Sequence, residues 1–340
     1  MAVAAICLGG ISACSPYVYN QEISGFSTGV NATVASYQSG QQSLSGLVLQ
    51  DKQADYVKAK TRLTLQEGCL DANALPPGLP ECGVVPFSGD PSPFTQTTQN
   101  DLRLQAQVAR AAQVFNALKI YAAALTAVTN AADDTSLKQA SQDLGTAMGT
   151  FSTATAAVAP EAPQTAAVID SATNLIGQGL SGYLDEQRYR ALKASVPAMD
   201  VSVAAMGKTM TDALLSIRQM QLAHMADDMI SLAEPFETGA AGKLSQAEYQ
   251  DRLTALESKV AAFNQARAGD PRATISALVE AHRQLAAALT NDTGQAPVVL
   301  NASLNFAVAA EQLNASLAAG TAAPKTAVPK TAAAGTGAKK

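Results

Sequence analysis

Apolar residues recur at intervals of three and four along nearly the whole chain, which is the spacing of one face of an α-helix. The stretch from 99 to 132 shows the pattern most clearly, with a stripe made of Leu104, Val108, Ala111, Phe115, Leu118, Ala122 and Leu125. Sustained seven-residue spacing favours shallow, left-handed helix crossings. The sequence therefore predicts an all-α fold: an elongated antiparallel helical bundle with long, coiled-coil-like helices.

Local start and stop signals divide this pattern into eight predicted helices. Gly68 is a plausible stop for the first helix, Pro197 separates the fourth from the fifth, and Ser245 with Glu248 forms a capping box for the sixth. We assign residues 20–319 to the bundle. The predicted helices cover 20–67, 99–132, 136–159, 163–195, 197–234, and segments that start near 245, 271 and 297.

Composition indicates how closely the helices pack and which classes of binding partner are excluded. Alanine and other small residues occupy many stripe positions, so helices are expected to approach one another closely. The net charge is −5, although four lysines and no acids follow Glu311. An acidic body argues against nucleic-acid binding, which needs Lys and Arg to neutralise phosphates. Residues 320–340 lack an apolar stripe, so we predict a disordered Ala/Pro/Lys tail.

Residues 2–13 form a short apolar run, well below the ~20 residues that a membrane-spanning helix needs. It ends in Ile11-Ser12-Ala13-Cys14, which resembles the lipobox of bacterial lipoproteins. The resemblance implies a signal peptide at 1–13, a lipidated N-terminus at 14–19 with the acyl chains on Cys14, and anchoring in a bilayer. Ser15, rather than Asp, implies an outer-membrane lipoprotein facing the periplasm or the cell surface. No Lys or Arg precedes the run, so we expect a truncated start.

Two further cysteines lie in a loop rich in proline and glycine. In an exported chain, Cys69 and Cys82 are expected to form a disulfide that closes part of a loop at 68–98. Such a loop is worth about 3 kcal/mol in the chain-entropy model. We predict that the loop is the contact surface for an envelope partner, through its apolar residues Leu75, Leu79, Val84, Val85, Phe87 and Phe94.

Methionines and one histidine cluster in the predicted fifth helix. Met206 and Met210 lie four residues apart, as do Met220 and His224, so each pair shares a helix face. Thioether and imidazole ligands suit Cu(I), which makes these four residues the alternative metal candidates. Because the same residues continue one apolar seam, we interpret them as core and predict no metal and no cofactor.

Patterns that would indicate catalysis are incomplete. The chain has two histidines, and His282 falls on an apolar stripe, where we predict a satisfied core residue. Gly207-Lys208-Thr209 mimics part of a phosphate loop but lies inside a helical pattern, and the adjacent acids Asp133 and Asp134 are expected at a helix boundary. We therefore predict that the protein is not an enzyme.

A second class of function follows from the scarcity of charge between Asp143 and Asp185, where only Glu161 and Asp170 are charged. A hairpin of this composition could leave the bundle and enter a bilayer, as in helical pore-forming toxins. Small and hydroxylated residues make that transfer weakly favourable. The preferred hypothesis is a membrane-anchored binding or scaffold module; membrane insertion and copper binding are the alternatives.

Overall fold

The structure is a computed structural model that describes residues 19–65, 84–88, 92–159, 183–291 and 295–321. The described residues form seven α-helices and one two-stranded ribbon, so the predicted all-α bundle is confirmed. The helices are α1 (Asn20–Ala59), α2 (Gln96–Asn130), α3 (Asp134–Val158), α4 (Leu184–Glu237), α5 (Gln246–Ala268), α6 (Pro271–Asn291) and α7 (Ala296–Thr321); the strands are β1 (Leu63–Leu65) and β2 (Val84–Pro86).

Helix α2 runs antiparallel to α1, as the contacts of Asp55 with Thr98 and of Tyr37 with Val108 show, whereas α1 and α7 run side by side in the same direction. Gly25 of α1 faces Ser303 of α7, and one turn later Gly29 faces Phe306. This pairing is the most extensive in the bundle, and α2 packs along another face of α1. The first and last described helices therefore build the centre of the fold together, an arrangement that short-range patterns cannot predict.

One apolar core runs along the bundle and includes the stripe predicted for α2. Its largest side chains are almost completely excluded from solvent; among them are Phe26, Tyr37, Phe115, Tyr121, Phe151 and Phe306. Tyr37 stacks on Phe115 with ring centroids 4.1 Å apart, and its hydroxyl donates a hydrogen bond to the Val108 carbonyl at 2.6 Å. Burial raises the pKa of Tyr37 to about 12, so this hydroxyl stays protonated and keeps its donor role.

The predicted end of the first helix, near Glu67, is wrong by about two turns. The helix ends at Ala59, because Lys60 adopts the left-handed conformation (φ 49°) and its amide bonds back to the Tyr56 and Val57 carbonyls. The chain then enters β1, which pairs antiparallel with β2. Each strand has three residues, too few for an alternating pattern to show in the sequence.

The predicted break at Pro197 is also wrong, since α4 continues through both Pro197 and Pro235 as one helix of 54 residues. A proline inside a helix removes one backbone hydrogen bond and costs about 3 kcal/mol. Val196 and Met199 on either side of Pro197 are fully buried in the core. Packing of this segment therefore outweighs the local penalty.

Two helices begin at acidic side chains for which the sequence predicted a position at a helix boundary. Ser245 and Glu248 form the predicted capping box of α5, and Asp133 forms a second one with Ser136 at the start of α3. The Ser136 amide donates to Asp133 Oδ1 at 2.7 Å. That hydrogen bond lowers the pKa of Asp133, as the Ser245 amide does for Glu248. The two carboxylates serve helix termini.

Substituting Gly29 tests the close approach of α1 and α7. A Cβ at Gly29 would lie 2.5 Å from the ring of Phe306, which is fully buried. We expect Gly29→Ala to lower the free energy of unfolding by about 1–3 kcal/mol, because the ring has no space to move into. The measurement is the denaturant midpoint of the purified chain.

Gly46 provides the matched control on the same helix, since a Cβ there meets nothing within 4 Å. Gly46→Ala should raise stability by about 0.5–1 kcal/mol through helix propensity alone. The two substitutions should therefore have opposite signs. If both stabilise the chain, the contact between α1 and α7 is not as close as described.

Candidate functional site

The end of the bundle at which α1 ends, which we call the distal end, carries the features most typical of a binding site. The residues involved come from elements far apart in the sequence: the second halves of α1, α4 and α5, the first turns of α2, the end of α7 and the two strands. The three features are a cluster of ligating side chains, a cleft and the β1–β2 ribbon.

The first feature, which we call the distal cluster, consists of Asp51 on α1, Asp101 on α2 and His224 on α4. One ligand atom from each residue lies within 4.8 Å of the others. His224 Nε2 is 3.5 Å from Asp51 Oδ2, and that oxygen is buried without a hydrogen bond to any described residue. Burial, and then the neighbouring charge of Asp51, raise the pKa of the Asp101 carboxyl. Two carboxylates and an imidazole are thus held together in a partly dehydrated site.

The second feature is a cleft of about 350 Å³ beside the cluster, with His224 in its wall. Polar and apolar groups share its lining, and the polar side chains include Gln42, Gln50, Gln221, Asp228 and Lys259. Lys259 of α5 pairs with Asp228 of α4 at 2.5 Å. Gln221 is almost fully buried, and its Oε1 makes no hydrogen bond to a described residue. A ligand with a hydrogen-bond donor would satisfy this oxygen.

The third feature is the ribbon formed by β1 and β2. Leu63 pairs with Pro86 and Leu65 with Val84, and directly opposed residues of an antiparallel pair point to the same face. One face of the ribbon is therefore entirely apolar. Leu63, Leu65 and Val84 are each close to half exposed, as is the adjacent Phe87. The Arg62 guanidinium lies 4.5 Å from the centroid of the Phe87 ring.

The structure places part of the predicted contact loop in this ribbon. Val84 and Phe87 are exposed, while Val85 and Phe94 are half-buried. Phe94 packs on Tyr56 of α1, with ring centroids 5.4 Å apart. Leu75, Leu79, Cys69 and Cys82 lie outside the described residues, so the disulfide stays a prediction. Cys14, the predicted lipidation site, also lies outside them.

The predicted copper candidates divide between two environments. Met206 and Met210 are fully buried and Met220 nearly so, and all three belong to the apolar core. His224 is about a quarter exposed and faces Asp51. Sequence reasoning singled out His224 but missed Asp51 and Asp101, because they lie on other helices and no local pattern connects them to it.

The other histidine is part of a hydrogen-bond network that runs from the core to the partly exposed Asp200. His282 Nε2 lies 3.0 Å from the Tyr121 hydroxyl, and its Nδ1 lies 3.1 Å from Asp200 Oδ1. Burial, with a smaller contribution from the charge of Asp200, raises the pKa of Tyr121. Tyr121 and His282 have no exposed surface, so a substrate cannot reach them. The prediction of a satisfied core histidine is confirmed.

The structure also shows where the partial phosphate motif and part of the low-charge hairpin lie. Lys208 of the partial phosphate motif lies inside α4 and pairs with Asp212 one turn away. In the low-charge hairpin, α3 buries its apolar face, including Leu144, Met148 and Phe151; residues 160–182 are outside the described ranges. Within those ranges, α2 alone is long and apolar enough to cross a membrane, and over half of its apolar window is buried in the bundle.

The fold and site define an all-α bundle that carries, at one end, a cleft of mixed polar and apolar lining beside a partly buried cluster of two carboxylates and an imidazole. Searches against protein-family models, curated proteins and solved structures each found no match to this chain.

A carboxylate beside the distal cluster holds the start of α2. The Thr95 amide and the Thr98 hydroxyl each donate to Asp55 Oδ2 at 2.8 Å. The Thr95 hydrogen bond, together with those from the threonine hydroxyls, lowers the pKa of Asp55. Its charge also complements the positive end of the α2 dipole. Asp55 therefore fixes α2 against the last turns of α1.

Acid should weaken this contact. Since the pKa of Asp55 is lower in the folded state than its ordinary unfolded value of about 3.9, its contribution is complete above that value and is lost as the pH falls through the folded pKa. Asp55→Ala should lower stability at neutral pH by about 1.5–3 kcal/mol, the range for a hydrogen bond to a charged group. Urea unfolding at neutral pH and below pH 4 measures both effects.

The exposed Asp251 on α5 provides the control. Asp251→Ala should leave stability and its pH dependence within about 0.5 kcal/mol of the unaltered chain. A difference between Asp55→Ala and the unaltered chain that persists undiminished below pH 3 would mean that the side chain acts through packing and not through its charge.

Proposed function

We propose that this protein is a bacterial envelope lipoprotein, anchored in the outer membrane through acylated Cys14, that acts as a binding or scaffold module. The observation that carries the proposal is the position of α1. The helix starts at Asn20, six residues after Cys14, and continues without a break to Ala59. At 1.5 Å per residue, its 40 residues span about 60 Å.

The length of α1 has a direct consequence for an anchored protein. An acylated Cys14 holds the start of α1 close to the bilayer, and the distal end then projects away from it. The ribbon lies at that far end and exposes an apolar face. Apolar faces of this kind mark protein contact sites. The proposed partner is an envelope protein that covers the ribbon.

Binding is favoured over catalysis by the surroundings of the histidines. His282 is fully buried and lies within hydrogen-bond distance of Tyr121 and Asp200, and His224 faces a carboxylate. Within the described ranges, neither histidine hydrogen-bonds to a serine or cysteine, so no nucleophile is activated there. Membrane insertion is less favoured, because α3 contributes its apolar side chains to the core.

Removing the apolar face of the ribbon tests the partner proposal. We expect Leu63→Ser combined with Leu65→Ser and Val84→Ser to abolish capture of one discrete protein from solubilised envelopes of the native host. The unaltered chain should retain that protein at near-stoichiometric yield, as identified by mass spectrometry. Because all three side chains are about half exposed, the substitutions should leave the unfolding midpoint nearly unchanged.

Leu304 and Val308 on α7 provide a matched control, since they are exposed to a similar degree but lie alongside the first turns of α1. Leu304→Ser with Val308→Ser should leave capture intact. Equal loss of capture in both variants, or no loss in the ribbon variant, would contradict the proposed contact surface without bearing on the anchor.

A further inference from the structure

The distal cluster is held by three separate helices. Asp51, Asp101 and His224 come from α1, α2 and α4, and their ligand atoms lie within 4.8 Å of one another. An ion that binds nitrogen and oxygen ligands at about 2.0–2.2 Å in tetrahedral geometry separates those ligands by roughly 3.5 Å. The distance of 3.5 Å between His224 Nε2 and Asp51 Oδ2 equals that separation. The third ligand atom, a carboxylate oxygen of Asp101, lies within 4.8 Å of both.

The electrostatics of the cluster favour a bound cation. Asp51 and Asp101 place two carboxylates side by side, where their charges repel each other. Asp51 Oδ2 is buried and has no hydrogen-bond partner among the described residues. A buried carboxylate oxygen without a partner is unfavourable unless a donor or a cation compensates it. The Lys259 ammonium at the neighbouring cleft is already paired with Asp228.

The donor set selects the kind of cation. One imidazole nitrogen and two carboxylate oxygens suit a borderline divalent ion, whereas Mg²⁺ and Ca²⁺ prefer oxygen ligands alone and Cu(I) prefers thioethers or thiolates. Three protein ligands also leave a fourth position for water or a ligand, as in open zinc sites. His224 lines the cleft, so the site has an opening toward solvent.

We propose that Asp51, Asp101 and His224 form a Zn²⁺ site that joins α1, α2 and α4 at the distal end of the bundle. The ion neutralises the paired carboxylates and supplies a partner for the buried Asp51 oxygen. Two of the three helices that it connects, α1 and α4, also line the cleft, so metal binding and the shape of the cleft are coupled. The copper site considered from the sequence combines His224 with methionine thioethers. The zinc site instead combines His224 with carboxylate oxygens of Asp51 and Asp101.

Zinc titration of the full chain, stripped of metal by a chelator and free of any purification tag, tests the proposal. We expect saturable binding of one Zn²⁺ per chain by calorimetry, with a rise in the thermal midpoint. Asp101→Asn and His224→Gln should each weaken the affinity at least tenfold. Asp212→Asn, which alters an exposed acid on α4 away from the cluster, should change the affinity less than twofold.

Two further measurements separate this site from other ligands. Combined Cys69→Ser and Cys82→Ser substitutions should leave zinc affinity unchanged, and Co²⁺ should give visible absorption bands without thiolate charge transfer. The proposal is overturned if no saturable binding occurs, if Asp101→Asn and His224→Gln bind zinc as tightly as the unaltered chain, or if the cysteine substitutions abolish binding. Far-UV circular dichroism establishes that each variant is folded.

Discussion

Replacing His282 with alanine should lower the free energy of unfolding by about 3–5 kcal/mol, which is large against the 5–15 kcal/mol typical of a native protein. The imidazole is fully buried, so its removal leaves a cavity. The same change deprives the Tyr121 hydroxyl of its partner at 3.0 Å, and a buried unpaired polar group adds about 1–3 kcal/mol. Urea or guanidinium unfolding measures the loss.

The chain's only other histidine is the natural control. His224 is about a quarter exposed, so in metal-free protein His224→Ala should cost less than about 1 kcal/mol. Tyr121→Phe should cost about 1–2 kcal/mol, because it removes the hydroxyl but keeps the ring. A His282→Ala variant within 0.5 kcal/mol of the unaltered chain would show that the network does not support the core.

Replacing Cys14 with serine should move the protein almost completely from the membrane fraction to the soluble fraction of the native host's envelope. A serine cannot receive the thioether-linked lipid that the lipobox resemblance implies, and stable anchoring requires two or more acyl chains. Cell fractionation followed by quantitative immunoblotting measures the change. The folded bundle should survive, since α1 begins only at Asn20.

Cys69→Ser and Cys82→Ser serve as the matched control for this experiment. These substitutions remove thiols from the chain but leave the lipobox intact, so the protein should stay in the membrane fraction. Membrane association that persists after Cys14→Ser would show that another segment attaches the chain to the bilayer.

Helical periodicity predicted most of the core, because burial of one helix face depends on residues three and four apart. The stripe from Leu104 to Leu125 lies on α2, and its central residues, such as Phe115 and Leu118, are fully buried. The Ser245–Glu248 capping box was equally predictable, since both partners lie within one turn. Features that depend on residues three or four positions apart can therefore be predicted from the local sequence.

Two predictions were wrong, the end of the first helix and the helix break at Pro197. In both places, contacts with residues distant in the sequence override the local signal. Glycine is the usual signal for a left-handed helix end, but Lys60 takes that conformation where the chain turns into β1, whose partner β2 begins 19 residues after β1 ends. Pro197 would end an isolated helix, yet the buried Val196 and Met199 hold the helix together through it. Sequence patterns within one segment carry no information on either outcome.

The candidate site shows even more clearly that patterns within one segment do not predict contacts between helices. His224 attracted attention through its methionine neighbours, whereas its actual neighbours, Asp51 and Asp101, lie on other helices. Only the packing of α4 against the junction of α1 and α2 brings the three side chains together. The ribbon face was partly predictable, because Val84 and Phe87 stood out as apolar residues in a loop; Leu63 and Leu65 were assigned to a helix.

Mass spectrometry of the N-terminal peptide, from protein purified out of its native host, shows directly whether Cys14 is the lipid anchor. We expect a mature chain that begins at Cys14 and carries acyl groups on that residue, recovered from the membrane fraction. An unmodified Cys14 thiol, with residues 1–13 still attached and the protein in a soluble cytoplasmic fraction, would contradict both the anchor and the role built on it.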